Sequence, residues 1–339
     1  MKHSIQLTTL TILILAVIFG CSPVPARKTL SEAHEKFLKI CEETYGLKVI
    51  LTPLKNTVWI YIPIKGNIYD LKATKSSDSS QKPTPKPSIN FIEGDFKNSS
   101  FKIDYDISIT NAYPQKGGYS ISQNEEFNKA YRHIYEAILR SYFDVEKLPG
   151  QREFEDPRRN TIREKMIETH IRTEKTPDFF IVVFADVTNG IQSKTIFYIE
   201  DYKRYATQSL PYDEYAKRLI SEVTGVEEAI GDLTGEHLKY DEITWPEFLA
   251  KQITSRAKFK YQHSHFIPGD DAKEEILTCV VDTISAYGFS DFQSVSLNDL
   301  RSEVTYELEK EELLKRKSST DSSQGQYHVI EFDPAGRMK

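Results

Sequence analysis

Phe179-Phe180-Ile181-Val182-Val183-Phe184-Ala185-Asp186-Val187, then Thr188-Asn189-Gly190, then the run from Ile191 to Ile199 (IQSKTIFYI), is the stretch that decides the fold. The first run is apolar at every position but Asp186, so it offers apolar side chains to both faces of any sheet it joins, as a central strand does. Asn-Gly between two β-prone runs predicts a hairpin in which both turn residues take positive φ. A strand buried on both faces needs neighbouring strands and covering helices. The expected fold is α+β: antiparallel sheets with helices packed on one face, in two or three small modules behind a flexible tether.

Working outward, Phe101–Ile109 alternates apolar and polar without error, a strand with one packed and one wet face. Asn124–Tyr142 carries a helical stripe of Phe127, Tyr131, Ile134, Ile138 and Tyr142. Pro211 opens a helix expected to run through Tyr215, Leu219 and Val223 to Gly225. Residues 91–238 therefore read as a central α+β domain of order β-α-β-β-α. Gln151–Lys175 is polar and charged and reads as an exposed loop with some helix.

On the N-terminal side, residues 29–71 read as an α-β-β module. Leu30, His34, Phe37, Leu38, Cys41 and Tyr45 form a helical stripe, Gly46 stops it, and strands are expected at Leu47–Thr52 and Thr57–Ile64. Residues 72–90, rich in Ser, Lys and Pro, read as a linker. On the C-terminal side, residues 239–312 form another α/β module. Thr244-Trp245-Pro246-Glu247 has capping-box spacing, Lys258–Gln262 reads as a short strand, and a helix is expected from Asp271 to Tyr287, stopped by Gly288. Strands follow near Phe292–Leu297 and Val304–Leu308. The order of helix, Tyr-Gly stop and two strands echoes Ser31–Ile64, a hint of a duplicated module. Residues 313–339 read as a disordered tail.

The chain has 339 residues, 39% hydrophobic and 28% charged, a balance that supports packed cores. Its net charge of −6 gives no general attraction to nucleic acid or anionic lipid.

Residues 1–4 are short and weakly basic, and residues 5–20 (IQLTTLTILILAVIFG) carry no charge. That run lies at or below the length of about 17–25 apolar residues that spans a membrane, and it has the pattern of a secretory signal. Ile18-Phe19-Gly20-Cys21 resembles a lipobox, the recognition site of bacterial lipoprotein signal peptides. The aliphatic residue, the small residue before the cut and the Cys match; Phe19 departs from the family's small or aliphatic choice. The resemblance covers residues 1–21 only. It implies cleavage after Gly20, lipid on Cys21, a tether over residues 21–28, and attachment to the outer face of a bacterial membrane. Ser22 after the Cys would, by the enteric rule, permit transfer to the outer membrane. Val24-Pro25-Ala26 also fits an ordinary small-x-small cleavage site, and an uncleaved anchor is the third option.

The remaining chemistry is sparse. No Cys-x-x-Cys pair, Gly-x-Ser-x-Gly elbow or phosphate-binding glycine loop is present, and His34-Glu35 has Leu38 where a zinc helix needs its second His. No motif implies a cofactor. His263-Ser264-His265 with Asp270 and Asp271 is the best metal candidate, since imidazoles two apart on an extended segment point the same way. Both aspartates also serve as caps for the next helix. Glu200-Asp201 is the best carboxylate pair, although Asp201 also suits a turn into the following residues. Cys41 and Cys279 are either buried thiols or, outside the cytoplasm, a disulfide. Arg158, Arg159, Arg163 and Lys165 form a basic cluster interleaved with acidic residues. The function expected is a non-enzymatic envelope adaptor that binds other proteins. The alternatives are a tethered binder of a small molecule or glycan, and an envelope hydrolase.

Overall fold

The computed structural model describes residues 30–74, 84–112, 118–143, 177–206, 209–263 and 272–316. The signal segment, Cys21, the tether, the basic cluster, the side chain of His263, and His265, Asp270 and Asp271 lie outside the described residues, as do residues 75–83 and 317–339. The chain divides into two compact units, residues 1–47 with 132–176, and residues 48–131 with 177–339.

In the first unit, helix α1 (Leu30–Lys39) continues into a π-helical turn, Ile40–Thr44, and ends at Gly46 with φ +65°. Phe37, Ile40 and Cys41 are buried. The second helix, α2 (Glu125–Tyr142), begins in the other unit and contributes its later turns here. Tyr142 lies edge-on to His34 at 5.8 Å, and Tyr45 stacks on His133 at 4.1 Å.

The second unit is built on β1 (Ile50–Leu54), β2 (Thr57–Ile64), β7 (Phe179–Asp186), β8 (Ile191–Tyr198) and β9 (Ile220–Gly225), which form one sheet in the order β1-β2-β7-β8-β9. As its composition requires, β7 is central and buried at every residue. It pairs antiparallel with β8 and parallel with β2. The first strands of the chain thus share a sheet with the central hairpin.

That hairpin differs in detail from its expected form. The connection spans residues 187–190, and only Gly190 has positive φ (+67°). Asp186 sets the turn instead, its carboxylate accepting from the backbone N–H groups of Thr188 (3.0 Å) and Asn189 (2.9 Å) and from the Asn189 amide (2.7 Å). A side-chain acceptor at the first turn residue removes the need for a second left-handed position.

A second sheet has the order β11-β10-β5-β4, with β4 (Thr84–Lys97), β5 (Ser100–Ala112), β10 (Ser294–Asp299) and β11 (Val304–Glu309). Residues 84–90, within the expected linker, are strand, paired with the far half of β5. Prolines there sit on an edge strand, where their missing N–H is tolerated. A two-stranded ribbon joins β3 (Tyr69–Thr74) to β6 (Gly118–Gln123). Both large sheets are mostly antiparallel, with one parallel pair each, β2–β7 and β5–β10.

Helix α5 (Trp245–His263) lies between the large sheets. On one side Phe248 meets Phe179 of β7 at 4.7 Å; on the other its backbone comes against Gly94 of β4. Helix α6 (Ala272–Tyr287) packs beside it and buries Ile276, Val280 and Ile284 in the shared core. The opposite face of β7 carries Phe184, covered by Phe127 and Tyr131 of α2 at 5.1 and 5.8 Å.

Three expected elements change type. Lys258–Gln262 continues α5 as helix, so no extended segment precedes His263. The helix opened by Pro211 is α4 (Tyr212–Arg218), and Ile220–Gly225 is strand β9, because pairing with β8 outweighs the local helical period. The chain past Glu309 forms α7 (Lys310–Leu314) and buries Leu313. The two echoing hairpins join their sheets differently, β1–β2 through its second strand and β10–β11 through its first. Among the described residues no helix is long and apolar enough to cross a membrane.

Candidate functional site

Two polar clusters stand out, both in the second unit. The first is built on helix α3 (Ile199–Ala206), where the sequence put the end of a strand at Ile199 and a turn after Asp201. Successive helical residues diverge by about 100°, so Glu200 and Asp201 separate. Glu200 pairs with Lys203 at 3.3 Å, whereas Asp201 turns inward and is 2% exposed. Arg218, at the end of α4, donates from Nη1 to Asp201 (2.8 Å) and from Nε to Glu214 (3.0 Å). Arg256 of α5 donates to the same Glu214 oxygen at 3.0 Å. The Tyr287 hydroxyl donates to the second Asp201 oxygen, and its ring lies 5.2 Å from the Arg218 guanidinium. Two carboxylates and two guanidiniums thus close a neutral network that ties α3 and α4 to α5 and α6. Burial pushes Glu214 up, but Arg256 and Arg218 outweigh it and hold its carboxyl below its ordinary value.

The second cluster lies in the segment Asp232–Ile243, which is strapped along one face of β2. Tyr61, Trp59 and Thr57 alternate on that face. Tyr61 and Trp59 donate to the carbonyls of Asp232 (2.7 Å) and Asp241 (2.8 Å), and the Thr57 hydroxyl accepts from Ile243 N–H at 3.1 Å. At its start, Asp232 accepts from the N–H and hydroxyl of Thr234 and from the N–H of Gly235 on one oxygen. The other oxygen accepts from the N–H and ring of His237. A carboxylate only accepts, so the ring hydrogen sits on Nδ1, and Nε2 accepts from the Gln192 amide of β8. Both imidazole nitrogens are therefore committed. Burial raises Asp232, but the bonds from His237 and Thr234 outweigh it and hold its carboxyl well below the carboxylate range.

A carboxyl depressed in the folded chain stabilises it fully above its unfolded value, about 4. That stability is lost as pH falls toward the folded value. Acid unfolding should set in below about pH 4, and Asp232→Asn should be less stable than the parent at pH 7 but lose less on acidification. Equal slopes of stability against pH for both chains would remove Asp232 from this role.

Beside the strap is a hollow of about 480 Å³ bordered by Glu228, Ile230, Thr234 and Glu236. A second, of about 380 Å³, is bordered by Trp245, Tyr287, Phe289 and Asp291. Cys41 and Cys279 are both free thiols and buried, and burial pushes them up to about 12 and about 11. Neither is poised as a nucleophile. Among the described residues no group of three His, Cys, Asp or Glu is arranged to hold a metal ion.

Sequence reasoning missed Glu214, Arg218, Arg256 and Tyr287, since a network drawn from four helices leaves no local pattern. The Asp232 loop left one. Asp-Leu-Thr-Gly is a turn signature in which Asp caps the N–H groups that follow. Comparison with known proteins finds no matching family model, no matching curated protein and no matching solved structure.

Proposed function

We propose that this chain is a bacterial envelope lipoprotein, anchored through lipid on Cys21, that works as a non-enzymatic adaptor or accessory protein for other envelope proteins. The observation that carries the reading is the uncharged run 5–20 ending in Ile18-Phe19-Gly20-Cys21. One acyl chain binds a membrane marginally, at about 0.8 kcal/mol per buried CH₂, while two or three anchor stably. The polar clusters support the non-enzymatic half. The Asp201 carboxylate and both nitrogens of His237 are engaged by protein groups, which suits framework rather than acid–base chemistry.

Cys21→Ala should move the protein from the detergent phase to the aqueous phase in a phase-partition assay; a mutant that still partitions with detergent would rule lipid out as the anchor. The buried, raised thiols of Cys41 and Cys279 add an independent readout. Thiol titration of the native chain reads Cys21 alone: one reactive thiol when Cys21 is retained without lipid, none when it is lipidated or removed by a cut after Ala26, and phase partition separates those two. Crosslinking the lipidated chain in intact cells and identifying the captured proteins tests the adaptor half. A stoichiometric envelope protein supports it, and recovery of the chain alone refutes it.

The hollow bordered by Trp245, Tyr287 and Phe289 favours a second reading, a tethered glycan or small-molecule binder. Quenching of Trp fluorescence by glycan fragments, lost in Trp245→Ala, would select it.

A further inference from the structure

The large sheets end in four outer strands, β1, β9, β4 and β11. Exposed edges are templates for pairing, and proteins blunt them with proline, bulges or charge. β1 carries Pro53. β4 carries Pro85, Pro87 and a bulge between Ile89 and Phe91. β11 presents Glu307 and Glu309, both exposed.

β9 has neither proline nor bulge. Its sequence, Ile-Ser-Glu-Val-Thr-Gly, has no proline and a single charge. That charge, Glu222, is met by Lys194 of β8 at 2.8 Å, and the pairing holds its carboxyl below its ordinary value against burial. Ser221, Val223, Thr224 and Gly225 are exposed, Val223 at 56%. The β8 ladder satisfies one edge of the strand and leaves its other backbone groups facing outward.

From this edge we infer that β9 is the seam of a two-fold dimer, a second copy adding its own β9 antiparallel and joining two five-stranded sheets into one of ten. A two-fold axis through Val223 sets the register. Val223 faces its own copy, Glu222 faces Thr224, and Ser221 faces Gly225. No like charges stand opposite each other, and the exposed apolar side chain pairs with itself. An axis through Glu222 would oppose two carboxylates, so charge selects between the registers.

The test uses the purified full chain in detergent solution, with native mass measured by light scattering after subtraction of bound detergent. The parent should have the mass of two chains, and Val223→Lys, which sets two ammonium groups face to face, the mass of one. Leu300→Lys, a change at another exposed apolar residue, on the β10–β11 turn, should leave the dimer intact. Val223→Cys with a short bismaleimide should give a covalent dimer without relying on the stability of the lysine variant. A parent that is a single chain at about 100 μM overturns the proposal. So does a dimer that survives Val223→Lys, or a Val223→Cys chain that gives no crosslinked pair.

Discussion

Replacing Asp201 by Ala should cost the folded chain about 3–5 kcal/mol, the range for removing one partner of a buried ion pair. The side chains of Asp201 and Arg218 are 3% and 8% exposed, and water cannot take over the lost bond. Arg218 would keep Glu214, but Glu214 already serves Arg256, so two guanidiniums would share one carboxylate. The Tyr287 hydroxyl would lose its acceptor as well. Asp201→Asn, which keeps the shape and one acceptor oxygen, should cost less. The double change Asp201→Leu with Arg218→Met should recover much of the loss, because the expense lies in the orphaned charge more than in the missing attraction. Urea midpoints decide it: a loss below about 1 kcal/mol for Asp201→Ala, the value of an exposed pair, would mean the network is solvated.

Gly94→Ala should destabilise where strand propensity says it should help. In an ordinary strand, exchanging Gly for a residue with a side chain gains up to about 1 kcal/mol. A Cβ on Gly94 would stand 2.5 Å from the Ala250 carbonyl oxygen and 2.8 Å from the Thr254 hydroxyl. The hydroxyl can rotate, but the carbonyl belongs to the backbone of α5, so the helix itself must withdraw from β4. Overpacking of this kind costs about 1–3 kcal/mol, with the upper end expected here and more for Gly94→Val. Thr254→Ala should not restore Gly94→Ala, because the blocking atom is backbone. A Gly94→Val chain as stable as the parent would show that α5 does not sit this close to the sheet.

What could be read in advance was whatever local pattern controls. The unbroken apolar run of β7, the alternation of β5 and the stripe of α2 each name their element, and glycines mark the ends of the π-helical turn and of α6. Pairing order was not legible. Nothing near Thr57–Ile64 announces that its partner is Phe179–Asp186, because parallel pairing is chosen by tertiary packing. The same limit explains Ile220–Gly225, whose helical spacing yields to the ladder of β8. For the site, Asp201 was legible as a residue of interest but not in its role, since its partners come from α4 and α6. Asp232 was legible only as a turn former.

The parallel pairs also set the order in which the chain can acquire its structure. Ser100 meets Ser294, 194 positions later, across the β5–β10 pair, and β2 waits for β7 in the same way. Closing loops of this length is entropically slow, and chains dominated by such contacts fold late and through intermediates. As the chain emerges N-terminus first, Thr57–Ile64 (TVWIYIPI), β-prone and uncharged, can pair with β1 on one edge, but its other edge stays open until its parallel partner β7 exists. Until then that segment is an aggregation hazard that needs shielding by a holding factor or by slow release.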